Sequence, residues 1–237
     1  MSENNELYFD EEGIPSADRR NIKANVSSAV IKRLPRYFRY LRELIRMGKT
    51  RVSSAELSRM MNVTASQIRQ DLNCFGGFGQ QGYGYNVNYL YTKICEILGV
   101  GSGFRAALIG CGNLGSALVK SPMFEKRGVD VVAIFDVSAG LIGKTMGNVT
   151  VYSMEKLEKT LASFDVDIAI LTLPKENATE VAERLSKTNI KGIWNFTGKE
   201  LQMDDAIIVE NVHIGDSLMT LCYEIESKMS DNNSASK

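Results

Sequence analysis

The sequence predicts an α/β protein of two bodies: an N-terminal winged helix-turn-helix domain, then a Rossmann-type, doubly wound parallel sheet with a C-terminal helix. Two short helices with capping motifs and a glycine-rich hairpin occupy the basic N-terminal part. A G-x-G-x-x-G motif between an apolar strand and a helix then opens a series in which strands and helices alternate. The two bodies differ in local pattern and in charge.

Charge separates the chain into two parts, although its 237 residues carry no net charge. Residues 17–93 contain 14 Lys and Arg against 4 Asp and Glu, whereas residues 94–237 contain 14 against 19. The resulting net charge of +10 on a small domain favours a polyanionic partner such as DNA. Residues 1–16 are acidic and aperiodic, and they are predicted to be a disordered leader.

The composition is typical of a globular protein, with 44% apolar and 24% charged residues. No stretch approaches the roughly 18 apolar residues of a membrane span, and the N-terminus lacks the pattern of a signal peptide, so a cytoplasmic protein without membrane contact is expected. One histidine and four cysteines without C-x-x-C spacing predict no metal site and no catalytic constellation. The cysteines are expected to be reduced and mostly buried, with a redox pair as the alternative.

The predicted winged-helix domain covers residues 17–86 and begins with an amphipathic helix. Apolar residues recur every three or four positions from Val26 to Ile45, and the helix is expected to end near Gly48. Pro35 lies inside this stretch and predicts either a kink or the first turn of a second helix.

Two capping boxes predict the helix-turn-helix. The segment 53–56 opens a helix that ends at Met61, and the segment 64–67 opens a second helix that ends near Cys74. Polar side chains at the start of the second helix can reach base edges in the major groove, where Arg pairs with guanine and Gln with adenine. The predicted DNA contacts of this helix are Thr64, Ser66, Gln67, Arg69 and Gln70. The alternative is a helical pair that packs for structure only.

Five glycines alternate with aromatic residues in the segment 76–85, which predicts a β-hairpin, the wing. Arg51, Gly82 and Tyr83 are the DNA contacts expected in and beside the wing. Asp71, in the second helix of the predicted pair, is a poor neighbour for phosphate and is expected to pair with another side chain.

A connecting segment is predicted over residues 87–103 and the Rossmann domain over 104–212, because short apolar runs then alternate with helical stretches. The predicted strands are Arg105–Gly110, Val129–Phe135, Val149–Tyr152, Ile168–Leu173, Gly192–Asn195 and Ile207–Glu210. A last helix over 213–229 and a disordered tail over 230–237 complete the prediction.

The glycine motif predicts a dinucleotide site. Gly110 permits a tight turn, Gly112 lets the backbone approach a pyrophosphate, and Gly115 lets helix and strand pack closely. Asp136 follows 21 residues beyond Gly115, where its carboxylate can accept from ribose hydroxyls and repels a 2′-phosphate, so NAD(H) is favoured over NADP(H). The alternative is glycine packing beside a solvated Asp136. The cofactor contacts predicted here are Gly110, Cys111, Gly112, Asn113, Leu114, Gly115 and Asp136.

Five sequence blocks in this order resemble the family of the redox-sensing transcriptional repressor Rex. The blocks are Arg33–Leu41 (RLPRYFRYL), Gln67–Tyr85, Gly110–Leu118 (GCGNLGSAL), Leu171–Pro174 (LTLP) and Gly192–Phe196 (GIWNF). The resemblance runs from about Ile22 to Ile225.

This resemblance implies a homodimer in which the C-terminal helix is exchanged between subunits. Such repressors bind a palindromic double-stranded DNA operator when free or bound to NAD⁺, and they release it when NADH closes the Rossmann domains together. By the same resemblance, Thr172 and Pro174 border the nicotinamide, and Arg39 couples the DNA-binding and cofactor-binding halves.

Four positions differ from the family pattern: Ser121 stands where relatives have Tyr, His213 where they have an acid, and Gln70 and Gln81 where they usually have Lys or Arg. These differences leave open a repressor whose Rossmann half dimerises or binds a nucleotide without distinguishing NADH from NAD⁺. An NAD-dependent dehydrogenase is the third alternative, with His213 as its one acid-base histidine. For His213, a structural role, a nicotinamide contact and a pH-linked switch all stay open.

Overall fold

The structure, a computed structural model, describes residues 27–74, 79–80 and 83–234. Its contacts divide the chain into two units, residues 1–100 and 101–237. This boundary falls within the predicted connecting segment. The helix of that segment belongs to the first unit, because Leu90 and Ile94 are buried in the core of that unit.

The described part of the first unit contains four helices and three short strands. They are α1 (Ser28–Arg46), β1 (Arg51–Val52), α2 (Ser54–Met61), α3 (Ala65–Asn73), β2 (Gly79–Gln80), β3 (Gly84–Asn86) and α4 (Val87–Leu98). Strand β3 lies between β1 and β2 and is antiparallel to both. The described strands form the predicted hairpin, and β1 adds a strand that the sequence pattern did not reveal. Residues 75–78 and 81–82 lie outside the described part.

Helix α1 forms because its first turn is capped and one side is apolar. Ser27 Oγ accepts a hydrogen bond from the backbone N–H of Val30, at 3.4 Å. Leu34 and Tyr37 are fully buried in the core of the unit. The helix continues through Pro35, which is exposed, so the alternative of a second helix that starts at this proline is wrong.

The capping boxes of α2 and α3 are present in part. The hydroxyls of Ser53 and Thr64 each accept from a backbone N–H three residues further on, at 3.1 Å. The side chain of Glu56 forms an ion pair with Lys49 instead of returning to its own cap. Helix α2 ends at Met61, and its C-cap Asn62 has a left-handed φ of +51° that starts the turn to α3.

The second unit contains a seven-stranded sheet and four α-helices among the described residues. They are β4 (Phe104–Ile109), α5 (Asn113–Val119), β5 (Val129–Asp136), β6 (Thr145–Met146), β7 (Val149–Ser153), α6 (Leu157–Ser163), β8 (Ile168–Leu171), α7 (Ala178–Leu185), β9 (Gly192–Asn195), β10 (Ile208–Asn211) and α8 (Ile214–Ser234). The strand order is β10-β9-β8-β4-β5-β7-β6, and only the β6–β7 pair is antiparallel. The prediction of a parallel sheet is confirmed, with β6 as an unpredicted edge strand.

Apolar cores lie on both faces of this sheet, as a doubly wound fold requires. Side chains alternate along β4: Ala107 and Ile109 belong to the core that α6 and α7 complete, and Leu108 belongs to the core that Leu118 of α5 completes. The sheet therefore separates two helical layers.

The strand order also places the crevice in which such folds bind ligands. From β4 the chain moves outwards to β5 and β7, and it returns to β8 on the other side of β4. In open parallel sheets, ligands bind beyond the carboxyl ends of the strands at the point where the order reverses. Here that point lies between the ends of β4 and β8, which Gly110 and Thr172 follow.

Helix α8 extends to Ser234, whereas the sequence predicted an end at Met229 and a tail from there. The segment 230–234 is helical, and residues 235–237 lie outside the described part. The large apolar side chains of α8 are exposed: Ile214, Leu218, Met219, Leu221, Tyr223, Ile225 and Met229. No helix in the described ranges is long and apolar enough to cross a membrane.

The four cysteines are free thiols in different surroundings. Cys111 is buried and Cys95 is half-buried, but Cys74 and Cys222 are exposed. The prediction of mostly buried thiols is therefore wrong for Cys74, and Cys222 lies on α8, where it is exposed in the single chain. Within the described residues, no group of three or more His, Cys, Asp and Glu is placed to hold a metal ion.

Candidate functional site

The glycine loop after β4 has a conformation that two of its glycines make possible. Gly110 has a φ of +96°, and a Cβ on it would lie 2.9 Å from the carbonyl carbon and oxygen of Thr172. A Cβ on Gly115 would lie 2.2 Å from the carbonyl oxygen of Gly110. Contacts this close do not occur with a real side chain, so the turn and the packing of α5 on β4 both require glycine.

The space around Gly112, which lies between these two glycines in the sequence, is open instead of crowded. Gly112 precedes α5 with a φ of −70°, and no atom lies within 4 Å of the position of a Cβ. Its neighbour Asn113 is exposed, Leu114 is half-buried and Cys111 is buried. The space over Gly112 is where the sequence motif predicts the pyrophosphate.

Asp136, at the end of β5, is bound to the glycine loop. One carboxylate oxygen accepts from the backbone N–H of Cys111 at 2.6 Å, and the other accepts from that of Ser138 at 2.8 Å. A carboxylate has about four acceptor positions, so the half-buried side chain keeps capacity for ribose hydroxyls. The carboxylate thus has a loop-fixing role that the sequence motif did not reveal.

Thr172 has a similar unpredicted role on the other side of the loop. Its hydroxyl donates to the carbonyl oxygen of Gly110 at 2.6 Å, and its backbone N–H donates to that of Ile109 at 2.9 Å. Pro174 is exposed and precedes the 3₁₀ turn Lys175–Asn177. Gly110, Asp136 and Thr172 therefore meet at the edge of the sheet where β4, β5 and β8 end.

A polar network lies further along the same edge, beyond β9 and β10. The buried amide of Asn195 donates to the side-chain oxygen of Asn211 at 2.7 Å, and the amide of Asn211 donates to Glu200 at 3.3 Å. The other carboxylate oxygen of Glu200 lies 2.9 Å from Nε2 of His213. The histidine thus has a defined partner just before α8 begins. Sequence reasoning singled out His213 but not the three residues that connect it to the sheet.

In the first unit, the centre of the helix-turn-helix is a buried carboxylate. Asp71 of α3 is fully buried and accepts two bonds from the guanidinium of Arg33, at 2.6 and 2.7 Å. It also accepts from the hydroxyl of Tyr37 at 3.0 Å and from the side-chain amide of Gln67 at 2.8 Å. We call Arg33, Tyr37, Gln67 and Asp71 the Asp71 cluster. It joins α3 to α1, and it confirms that Asp71 pairs with other side chains.

The charges of the Asp71 cluster are stabilised by these bonds. Burial by itself raises the pKa of Asp71, but hydrogen bonds from Arg33, Gln67 and Tyr37 outweigh it and hold that pKa below its ordinary value. Burial, together with the neighbouring carboxylate, raises the pKa of Tyr37, so the phenol stays a hydrogen-bond donor. The four acceptor positions of the Asp71 carboxylate are therefore all occupied within the cluster.

The predicted DNA contacts of α3 fall into two groups. Thr64, Ser66, Arg69 and Gln70 are exposed, and a guanidinium nitrogen of Arg69 donates to the hydroxyl of Ser54 on α2 at 3.2 Å. Gln67 is half-buried, and its amide is directed to Asp71. A hydrogen bond to a charged group contributes about 1.5 to 3 kcal/mol, and a bidentate base contact about 1 to 3 kcal/mol. Turning Gln67 to an adenine therefore requires breaking a bond of comparable strength to a buried carboxylate.

The wing presents a basic and an aromatic side chain together. Arg51 of β1 donates to the backbone oxygen of Tyr83 at 3.2 Å, and its guanidinium lies 5.9 Å from the centre of the Tyr83 ring. Tyr83 is 68% exposed. Gly82, also predicted to contact DNA, lies outside the described residues. Arg39 is exposed on α1, with its guanidinium 5.2 Å from the centre of the Tyr40 ring.

Two family models match the two units. Residues 25–73 match the model described as "Putative DNA-binding protein N-terminus", and residues 103–198 match the model described as "CoA binding domain".

Similar proteins match over nearly the whole chain. The redox-sensing transcriptional repressor Rex of Caldicellulosiruptor saccharolyticus is 46% identical over 215 residues, which cover 91% of this chain and 98% of the relative. The protein of the same name from Caldanaerobacter subterraneus subsp. tengcongensis is 50% identical over 206 residues, which cover 87% and 92%.

Solved structures give the same result. The crystal structure of RSP in complex with beta-NAD+ and operator DNA is 48% identical, with a TM-score of 0.80 and coverage of 90% of this chain and 98% of that one. RSP in complex with beta-NADH is 46% identical, with a TM-score of 0.81 and coverage of 88% and 98%.

Proposed function

The chain belongs to the Rex family of redox-sensing transcriptional repressors, and from this premise we propose that it is a cytoplasmic homodimer that represses transcription by binding a palindromic DNA operator. NADH and NAD⁺ are its proposed effectors, and NADH weakens the operator complex. The observation that carries the proposal is the 48% identity, over 90% of the chain, to a protein crystallised with beta-NAD+ and operator DNA.

Helix α8 supports the homodimer. Its seven large apolar side chains are between 49% and 73% exposed in the single chain. Five of them, Ile214, Leu218, Leu221, Ile225 and Met229, recur every three or four residues and so share one face of the helix. An exposed apolar face of this kind marks an interaction site, and we place a second copy of the chain on it. In such a dimer the two recognition helices must lie about 34 Å apart to meet two half-sites. NADH shifts the population away from that spacing only if it binds the other arrangement more tightly.

The exposed residues of α3 and of the wing are the proposed DNA surface. Thr64, Ser66, Arg69 and Gln70 enter the major groove, and Arg51, Gly82 and Tyr83 contact the DNA beside it. Arg39 is the proposed link between this surface and the cofactor-binding half.

The edge of the Rossmann sheet is the proposed cofactor site. Residues 110–115 hold the pyrophosphate, Asp136 binds the adenosine ribose, and Thr172 and Pro174 border the nicotinamide. The open space over Gly112 and the spare acceptors of Asp136 support this placement.

Fluorescence anisotropy with a palindromic operator probe at fixed salt tests the proposal, with NAD⁺ and NADH added separately. We expect NADH to release the probe at concentrations at which NAD⁺ does not. CoA is a third addition, because the model that matches residues 103–198 carries that name. Tight binding that neither form of NAD changes contradicts the redox-sensing part and leaves a repressor with another ligand. The absence of operator binding contradicts the whole proposal.

Replacing Arg69 by alanine is expected to lower discrimination at one base position by about 1 to 3 kcal/mol, because a bidentate contact to guanine is lost. Relative affinities for single-base operator variants measure this effect. Arg59→Ala is the matched control, since Arg59 is also an exposed arginine of the helix-turn-helix. The control should leave discrimination between bases unchanged, and a uniform loss of affinity for all sequences in Arg69→Ala means that Arg69 contacts phosphate instead.

Replacing Asp136 by asparagine is expected to reduce the preference for NADH over NADPH by about tenfold, because the charge that repels a 2′-phosphate is removed. Isothermal titration calorimetry with both cofactors measures the ratio. Asp130→Asn removes the same charge from the other end of β5, where Asp130 is exposed, and should leave the ratio unchanged. An unchanged ratio in Asp136→Asn places the adenosine ribose elsewhere.

A further inference from the structure

Two pairs of polar residues in the helix-turn-helix look equivalent in the sequence but have different partners in the structure. Ser53 and Ser54 are adjacent, yet Ser53 caps α2, while Ser54 accepts from Arg69 of the neighbouring helix. Gln67 and Gln70 lie one turn apart on α3, yet Gln67 donates to buried Asp71, while Gln70 is exposed.

From these contacts we infer that Ser54 is a specificity-determining residue that positions Arg69 for a base edge, and that Gln67 is a positioning residue of the Asp71 cluster that reads no base. The inference rests on the proposed function, since it assigns roles within the proposed DNA surface. It divides the recognition helix into an outer reading face and an inner face that fixes the helix on α1.

The geometry gives Ser54 a means to act on specificity. A long arginine side chain on an exposed surface samples many rotamers, and fixing it before binding lowers the entropy lost on contact. The 3.2 Å bond from Arg69 restricts the guanidinium to the side of α3 that faces α2. The bond uses one of the five N–H donors of the guanidinium, so the others stay available to a base edge while Ser54 holds the side chain.

Gln67 does not belong to the reading face, because its side chain is held by the Asp71 cluster. Both oxygens of Asp71 already accept two bonds each, one of which comes from the amide of Gln67. Asp71 is fully buried, so water does not readily replace a bond that is lost there. Gln67 therefore stays with the cluster when DNA binds.

Single-base operator variants, with relative affinities measured at fixed salt, test both roles in the full-length protein. Ser54→Ala should lower discrimination at the base pair that Arg69 reads by about 2- to 10-fold, the range of one hydrogen bond, with nearly unchanged affinity for non-specific DNA. Ser53→Ala, the matched control, should lower the melting temperature through the lost cap and leave discrimination unchanged. Equal discrimination in wild type and Ser54→Ala overturns the role of Ser54.

For the glutamines, Gln67→Met should lower the melting temperature and leave base preference within about twofold of wild type, since one hydrogen bond to buried Asp71 but no base contact is lost. Gln70→Met should leave the melting temperature unchanged and change the base preference. If Gln67→Met does not fold, probes with 7-deazaadenine, which lacks the N7 acceptor, give a second measurement. A loss of affinity from such a probe that persists both in Gln70→Met and in Arg69→Ala overturns the role of Gln67, and a loss that disappears in either variant supports it.

These measurements distinguish an error in the proposed function from an error in the inference on Ser54 and Gln67. If the wild-type protein binds no operator, both the proposed function and the inference are wrong. If it binds an operator and relaxed base preference appears in Gln67→Met, the function stands and the inference is wrong.

Discussion

Replacing Asp71 by alanine is expected to lower the free energy of unfolding of the first unit by about 3 to 5 kcal/mol and to abolish operator binding. The substitution leaves the guanidinium of Arg33, only 27% exposed, without its counter-ion. It also leaves the hydroxyl of fully buried Tyr37 without its acceptor. Urea denaturation followed by circular dichroism measures the loss. Affinity for NADH and the fluorescence of Trp194, the single tryptophan, report on the second unit and should change little.

A paired substitution separates the lost interaction from a general packing defect. Arg33→Met combined with Asp71→Leu removes both charges and restores apolar volume, so the loss of stability in this double variant should be smaller than the sum of the losses in Arg33→Met and Asp71→Leu alone. Strictly additive losses for the two positions contradict a direct interaction between Arg33 and Asp71.

The acid dependence of stability follows from the same carboxylate. The pKa of Asp71 is lower in the folded protein than its ordinary value of 3.8, so its contribution is complete at neutral pH. This contribution of ionised Asp71 to the free energy of unfolding is lost as the pH falls below about 4 and through the pKa of Asp71 in the folded protein. Asp71→Asn should therefore lose less stability than the wild type over that acid range in urea titrations.

Elements with a long periodic or capped sequence were predictable. The apolar stripe of α1 and the caps at Ser53 and Thr64 placed the first three helices to within a few residues, because local physics determines them. The two-residue strands β1 and β6 contain too few positions for a period, and they exist only because a neighbouring strand pairs with them. Helix α8 continued into a polar segment that composition alone made look like a tail.

The site shows the same division between local and long-range information. The motif located Gly110, Gly115 and Asp136, since glycine spacing and a following acid are local features. It did not reveal that Thr172, 62 residues further on, fixes Gly110, or that Arg33 neutralises Asp71 from 38 residues away. A sequence shows that a buried charge needs a partner, but the tertiary fold selects which residue provides it.

Replacing Gly115 by alanine is expected to destabilise the second unit by about 1 to 3 kcal/mol or more and to abolish NADH binding. The new methyl group would lie 2.2 Å from the backbone oxygen of Gly110 and 2.8 Å from the hydroxyl of Thr172. The backbone cannot yield without moving α5 away from β4. Urea denaturation followed by Trp194 fluorescence measures stability, and calorimetry measures NADH binding. Unchanged stability contradicts the close packing of α5 on β4.

Gly112→Ala adds the same methyl group to the same loop at a position where the protein has room for it. With a φ of −70° and no atom within 4 Å, alanine fits the unliganded loop, so stability should equal that of the wild type. The methyl group then occupies only the space that the pyrophosphate is proposed to use, and NADH affinity should fall about tenfold or more. Gly112→Ala should therefore lower NADH affinity alone, whereas Gly115→Ala should lower both stability and NADH affinity. Wild-type affinity in Gly112→Ala means that the phosphates follow another path across the loop.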